Sequence, residues 1–135
     1  MSSVKEIMTA EVFTINKSAP LSQAIDLMLK HQISGLPVVD SEQNLVGIIT
    51  EKDLLQLYNK TQEVEGMVVE DYMTKPVITF YEDETFEEIC KCLETTDFRR
   101  VPVIDSAGKV VGIISRPDIT RRILQKIRKN PVAQD

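Results

Sequence analysis

Apolar residues recur with a helical period in two segments of the chain. They stand at positions i, i+3, i+4 and i+7 within residues 21–28 and 86–93, the spacing of one buried helical face. Their members are Leu21, Ala24, Ile25 and Met28 in the first segment and Phe86, Ile89, Cys90 and Leu93 in the second. Pro20 stands where a helix start tolerates proline, and Thr85 with Glu88 has the spacing of a capping box. The pattern predicts two amphipathic helices.

Short apolar runs on either side of these helices predict strands. One run precedes each helix, at residues 12–15 and 77–80, and two runs follow it, at 36–39 and 45–50 and at 101–104 and 110–115. The later runs of each set are joined by DSEQN (40–44) and DSAGK (105–109), short polar segments suited to hairpin turns. A further helix is predicted to close each set, ending near residue 58 in the first and near residue 129 in the second.

The two sets are copies of one repeat. A shift of 65 residues lays residues 4–58 over residues 69–123 without a gap. Identical pairs include Met8/Met73, Thr9/Thr74, Val12/Val77, Thr14/Thr79, Pro37/Pro102, Val38/Val103, Asp40/Asp105, Ser41/Ser106, Val46/Val111, Gly47/Gly112, Ile48/Ile113, Ile49/Ile114 and Asp53/Asp118. An ungapped internal match indicates two copies of one supersecondary unit. Each copy reads as β-α-β-β-α.

One such unit is too small to bury its own sheet. We therefore expect an α/β (α+β) fold in which two pseudo-symmetric repeats pack sheet to sheet into one module. The predicted boundaries are repeat 1 at residues 4–58, a polar linker at 59–68, repeat 2 at 69–124, and a basic helix end and tail at 125–135.

Composition narrows the class of protein. The chain has 135 residues, of which 42% are hydrophobic, enough for a core, and no apolar run approaches the roughly 20 residues of a membrane span. The start, MSSVKEIMTAEV, lacks the basic and apolar regions of a secretory signal. We expect a cytoplasmic protein with no membrane contact.

Cysteine and histidine are too few for a zinc site of four Cys and His ligands. Cys90 and Cys92 lie two positions apart on a predicted helix, where their side chains point in different directions, and a mutual disulfide is not expected. His31 is the single histidine and is expected to lie exposed in a loop. No metal is predicted.

Charge is unevenly distributed along the chain. The net charge is −5, which disfavours nucleic acid as the main partner. Residues 116–129 nevertheless hold six basic residues against one acid: Arg116, Arg121, Arg122, Lys126, Arg128 and Lys129 against Asp118. This stretch is expected to form a solvated helix face, and a docking surface for an acidic partner is the alternative.

The phrase GIITEKD at residues 47–53 recurs as GIISRPD at residues 112–118. Thr50 and Ser115 stand where a strand becomes a helix, and Asp53 and Asp118 follow three positions later, so each pair has the spacing of an N-terminal capping box. A ligand site is the second interpretation, because hydroxyls, carboxylates and free helix N–H groups suit ribose and phosphate. The glycine that opens each phrase allows a close approach of backbone or ligand. The residues alone leave both interpretations open.

The motifs together resemble a known family. Each copy has an MT dipeptide near its start (residues 8–9 and 73–74), a strand LPVVD or VPVID (36–40 and 101–105), and a junction of the form G-h-[IV]-[TS]-x-x-D. This combination resembles the cystathionine-β-synthase-type (CBS) domain in its tandem form, the Bateman module, over residues 4–124. The chain looks like a stand-alone CBS-pair protein.

The resemblance implies a regulatory, non-catalytic module. CBS pairs bind adenosine-containing effectors such as AMP, ADP, ATP, S-adenosylmethionine or NAD in two clefts between the repeats, and they usually form homodimers. No cofactor is required for such a role.

The resemblance also assigns residues to the two clefts. The cleft with Asp53 takes Thr50, Asp53, Val77, Ile78, Thr79, Arg99, Arg100 and Pro102. The cleft with Asp118 takes Val12, Phe13, Thr14, Ser34, Gly35, Pro37, Ser115, Arg116 and Asp118. Because Arg99 and Arg100 suit a phosphate, the Asp53 site is expected to prefer phosphorylated adenosine, and the Asp118 site to be weaker or to take a less charged derivative.

Other functions have less support in the sequence. The chain shows no nucleophile elbow and no P-loop, so an enzyme is not expected. The alternatives are a protein-interaction module with vestigial clefts and nucleic-acid binding through the basic C-terminal helix.

Overall fold

A computed structural model describes residues 2–58, 65–75, 78–96 and 100–129 as a mixed α+β fold with two three-stranded sheets. In chain order its elements are α1 (Val4–Ile7), β1 (Ile15–Asn16), α2 (Leu21–His31), β2 (Gly35–Val39), β3 (Leu45–Thr50), α3 (Glu51–Leu54), a 3₁₀ turn (Leu55–Leu57), a second 3₁₀ turn (Val69–Asp71), β4 (Phe80–Tyr81), α4 (Phe86–Glu94), β5 (Arg100–Ile104), β6 (Val110–Ser115) and α5 (Arg116–Lys129). The predicted mixed class is confirmed.

Both sheets have the same strand order, and each begins with a parallel pair. In the first, β1 runs parallel to β2 and β2 antiparallel to β3, in the order β1-β2-β3. The register shifts between Val38 and Val39, where β3 carries a bulge. In the second, β4 runs parallel to β5, in the order β4-β5-β6. The repeated sequence therefore folds as a repeated sheet.

The predicted hairpin strands at 45–50 and 110–115 match β3 and β6. The first strand of each repeat was predicted too long and too early. Among the described residues, each of these strands pairs in its sheet over two residues only, Ile15–Asn16 and Phe80–Tyr81. Apolar residues before β1 are used differently, since the ring of Phe13 stacks on His31 with centroids 3.7 Å apart.

The two predicted helical faces are buried as expected in most positions. Leu21, Ala24 and Met28 are buried in α2, and Phe86 and Ile89 in α4. Ile25, Cys90 and Leu93 are only partly buried. The hydroxyl of Thr85 caps α4 by accepting from the backbone N–H of Glu88 at 3.3 Å.

The chain forms two compact units, and these are not identical with the sequence repeats. One unit consists of residues 1–12, 79–105 and 111–135, and the other of residues 13–78 and 106–110. In the second unit, the core formed by residues of the first repeat includes Val69, which is fully buried. In the first unit, Val4 is fully buried, and its N–H donates to the carbonyl of Glu84 at 2.7 Å. Each unit thus contains the opening segment of the other repeat.

The hairpin turns place one residue each in the left-handed region. Gln43 has a φ of 68° and Gly108 a φ of 84°, and these positions correspond in the repeat. Asp40 closes the first turn, since its Oδ1 accepts from the N–H groups of Glu42 and Asn44, both at 2.9 Å. Only one of the two turns has the glycine that this conformation favours.

Candidate functional site

The junction at Thr50 is a complete capping box. The N–H of Asp53 donates to Thr50 Oγ1 at 3.4 Å, and the N–H of Thr50 donates to Asp53 Oδ2 at 2.8 Å. Thr50 Oγ1 also donates to Asp53 Oδ2 at 3.0 Å. The predicted cap is confirmed, and it holds the carboxylate of Asp53 in one orientation.

A third residue contacts this carboxylate from the start of the second repeat. Thr74 Oγ1 donates to Asp53 Oδ1 at 2.8 Å, and Asp53 is 8% exposed. The Thr74 backbone pairs with Ile48 of β3 through two hydrogen bonds, at 2.8 and 3.2 Å. The second MT dipeptide therefore lies against β3 and helps to fix the acid.

Gly47 makes room for that dipeptide. A Cβ at Gly47 would lie 2.6 Å from Met73 Sδ and 3.2 Å from the carbonyl oxygen of Thr74. The close approach predicted at this glycine is therefore confirmed, and the group that approaches is protein. The glycine itself gives no support for a ligand.

The other unit repeats this arrangement around Asp118. The N–H and Oγ of Ser115 donate to Asp118 Oδ2 at 2.8 and 2.9 Å. Thr9 Oγ1 reaches Asp118 Oδ1 at 3.4 Å, and the Thr9 backbone pairs with Ile113 of β6. Gly112 has the role of Gly47, since an added Cβ would lie 3.0 Å from the Thr9 carbonyl oxygen.

One contact distinguishes the two acids. Arg121 Nη2 donates to Asp118 Oδ1 at 2.5 Å, where the Asp118 side chain is 2% exposed and that of Arg121 65%. The corresponding residue in the first repeat is the exposed Gln56. Within the described ranges, Asp53 has no ion pair of this kind.

Thr9, Thr74 and Arg121 are absent from the set predicted from sequence. The signal for the two threonines was present, because Thr9/Thr74 and Asp53/Asp118 are identical pairs at the same 65-residue offset. The pairing of each threonine with the acid of the other repeat, however, depends on the exchange of opening segments described above.

The second unit contains several of the remaining predicted residues. Gly35 pairs with Thr50 across β2 and β3, and the Ser34 carbonyl accepts from the N–H of Glu51 at 2.9 Å. The structure therefore brings Ser34 and Gly35 beside the Thr50 cap. This unit also holds Phe13, Thr14, Pro37 and Ile78.

His31 ends α2 and is partly buried against Phe13, so its predicted position in an exposed loop is wrong.

The first unit contains the others. Ser115, Asp118 and the exposed Arg116 lie at the junction of β6 and α5, and Arg116 begins that helix. The same unit holds Val12, Thr79, Arg100 at the start of β5, and the fully buried Pro102. Val77 and Arg99 lie outside the described residues.

Thiol chemistry has little electrostatic support at Cys90. Partial burial raises the pKa of its thiol, and the carboxylates of Glu87 and Glu94 raise that pKa further, whereas Lys126 acts in the opposite direction. A raised pKa disfavours the reactive thiolate.

Among the described residues, no three His, Cys, Asp or Glu side chains gather in a group that would hold a metal ion. The described part of the chain also has no helix of the length and apolar character needed to cross a membrane.

Solved structures and curated proteins resemble this chain. The structure of CBSX2 from Arabidopsis thaliana in complex with AMP has 33% sequence identity and a TM-score of 0.82, covering 93% of this chain and 98% of that one. The CBS domain pair of protein MJ0100, solved with 5′-methylthioadenosine and S-adenosyl-L-methionine, has 32% identity and a TM-score of 0.80, covering 93% and 98%. Inosine-5′-monophosphate dehydrogenase of Methanocaldococcus jannaschii is 37% identical over 128 residues, which are 95% of this chain and 24% of the dehydrogenase.

The chain spans between 24% and 64% of the length of the first three curated relatives it matches. The match to the dehydrogenase therefore concerns a part of that protein. The model of the CBS domain matches residues 4–60 and again residues 69–125. The chain belongs to the CBS domain family and carries two CBS domains in tandem.

Proposed function

We propose that this protein is a regulatory, non-catalytic module that binds adenosine-containing effectors, namely AMP, ADP, ATP or S-adenosylmethionine. The observation that carries the proposal is the AMP complex of CBSX2. That structure matches 93% of this chain with a TM-score of 0.82. The complex of MJ0100 with 5′-methylthioadenosine and S-adenosyl-L-methionine supports the same class of ligand.

The two strand-to-helix junctions supply suitable chemistry for such a ligand. Asp53 and Asp118 are buried carboxylates, 8% and 3% exposed, and each is oriented by several donors. A fixed carboxylate that keeps an open acceptor position can accept hydrogen bonds from ribose hydroxyls, and bonds to a charged group are about twice as strong as neutral ones. The side chain of Thr50 or Ser115 lies beside it.

The remaining predicted residues complete the proposed sites. The Asp53 site includes Thr50, Val77, Ile78, Thr79, Arg99, Arg100 and Pro102, with the arginines paired to a phosphate. The Asp118 site includes Val12, Phe13, Thr14, Ser34, Gly35, Pro37, Ser115 and Arg116. These assignments rest on the motif resemblance, as does a homodimer, and a cytoplasmic location is proposed beside them.

Thermal shift and calorimetric titration test the proposal. AMP, ADP, ATP and S-adenosylmethionine are compared with GMP and ribose 5-phosphate, which lack adenine. A ligand at 100 times its dissociation constant adds about 2.7 kcal/mol of stability. Arg99→Ala combined with Arg100→Ala should weaken binding of AMP and ATP, and unchanged affinity would contradict the phosphate assignment.

A protein-interaction module is the second candidate, and one observation favours it. Ile123, Leu124 and Ile127 on α5 are 44–45% exposed, and basic residues flank them on the same helix. An absence of any shift with all four adenosine compounds would favour this function over ligand sensing.

A further inference from the structure

We infer that Arg121 closes the carboxylate of Asp118 to ligand hydroxyls, so that the Asp53 site alone selects for an intact ribose. This inference rests on the proposed function and names the residues that make its two sites unequal. It follows from the number of hydrogen bonds that each buried carboxylate already accepts.

The carboxylate of Asp118 has no acceptor position left. An ionised carboxylate offers about four lone-pair positions, two on each oxygen. Its Oδ2 accepts from the N–H and the Oγ of Ser115, at 2.8 and 2.9 Å. Its Oδ1 accepts from Arg121 Nη2 at 2.5 Å and from Thr9 Oγ1 at 3.4 Å. The guanidinium also neutralises the charge.

The carboxylate of Asp53 retains one acceptor position. Its Oδ2 accepts from the N–H and the Oγ1 of Thr50, at 2.8 and 3.0 Å. Its Oδ1 accepts from Thr74 Oγ1 at 2.8 Å, and no other donor from the described residues reaches it. The open position lies on a full negative charge, where a hydroxyl donor is bound most strongly.

The difference depends on one position of the repeat. Residue 56 corresponds to residue 121, three positions after the acid, which is the spacing of neighbouring side chains on a helix. Gln56 is exposed and uncharged, so it supplies no cation to pair with the acid. Arg121 and Gln56 therefore act as the residues that set the specificity of the two sites.

The test compares AMP with 2′,3′-dideoxyadenosine monophosphate by calorimetric titration. In the wild-type protein one site should prefer AMP by about 10- to 100-fold, the range for a hydrogen bond to a charged group, and the other site should bind both compounds nearly equally. Arg121→Gln should give the second site the same preference. Gln56→Arg should abolish the preference at the first.

Arg128→Gln is the matched control, because it removes one charge from the exposed end of α5 and should leave both ratios unchanged. Gln56→Arg removes no partner from a buried group, so it keeps the test available if Arg121→Gln fails to fold. Equal ratios at both wild-type sites, or ratios that neither substitution moves, would overturn the inference alone. No binding of AMP or any other adenosine compound would overturn the proposed function as well.

Discussion

Replacing Thr74 with valine tests whether the MT dipeptide stabilises the buried acid of the other repeat. The substitution keeps the branched shape and removes the hydroxyl that donates to Asp53 Oδ1 at 2.8 Å. Asp53 is 8% exposed, so water replaces that donor poorly. A hydrogen bond to a charged group contributes about 1.5–3 kcal/mol, and we expect a loss of stability in that range.

Thr9→Val is the matched substitution at the corresponding position. Thr9 Oγ1 is 3.4 Å from Asp118 Oδ1, and that oxygen keeps Arg121 as a donor at 2.5 Å. A long bond to an oxygen that is already paired contributes less, so we expect a cost of under about 1 kcal/mol. The two repeats should therefore respond unequally to the same change.

Urea unfolding followed by circular dichroism measures both costs. With a slope of about 2 kcal/mol per M, Thr74→Val should lower the midpoint by roughly 1 M and Thr9→Val by less than half of that. In an Arg121→Gln background, Thr9→Val should cost more, because the remaining donor is gone. Equal midpoints for the two single variants, or a larger loss for Thr9→Val, would refute this reasoning.

Three further predictions concern local structure. Gly47→Ala should destabilise the protein by about 1–3 kcal/mol, because the new methyl meets Met73 Sδ, and Met73→Ala in the same chain should recover part of the loss in urea unfolding. Gln43→Gly should raise stability by about 0.5–1 kcal/mol, since φ is 68° there and glycine occupies the same turn position in the second repeat; no gain in the melting midpoint would contradict it. The backbone N–H of Asn44 is the largest cause that lowers the pKa of Asp40 below its ordinary 3.8, so the stability difference between wild type and Asp40→Ala should be complete above pH 3.8 and shrink as the pH falls below it. A difference that stays constant in acid titrations would exclude this contribution.

Much of the fold could be predicted because the chain repeats its own pattern. Periodicity identified α2 and α4, and the hairpin strands 45–50 and 110–115 have the bounds that the structure shows. The cap at Thr50 was also visible, because a hydroxyl and an acid three positions apart follow a strand. These features are local, and local spacing determines them.

The exchange of opening segments could not be predicted from spacing. Val4 and Val69 are each fully buried, yet neither belongs to a periodic run. Periodicity indicates which face of an element is buried, and it carries no information on which repeat covers that face. For the same reason, Thr9 and Thr74 were recognised as motif residues without their partners.

The difference between the two acids shows why an identical motif need not form an identical site. Arg121 and Gln56 are plain in the sequence, but an ion pair at i, i+3 on a solvated helix contributes little and would ordinarily be disregarded. Burial changes its weight, because the Asp118 side chain is 2% exposed and a buried carboxylate that loses its partner is strongly destabilised. The same pair that holds Asp118 in place also removes it as an acceptor. A single position outside the motif, occupied by Arg121 in one repeat and Gln56 in the other, thus decides two things. It decides which acid is held by an ion pair and which acid stays open to a ligand.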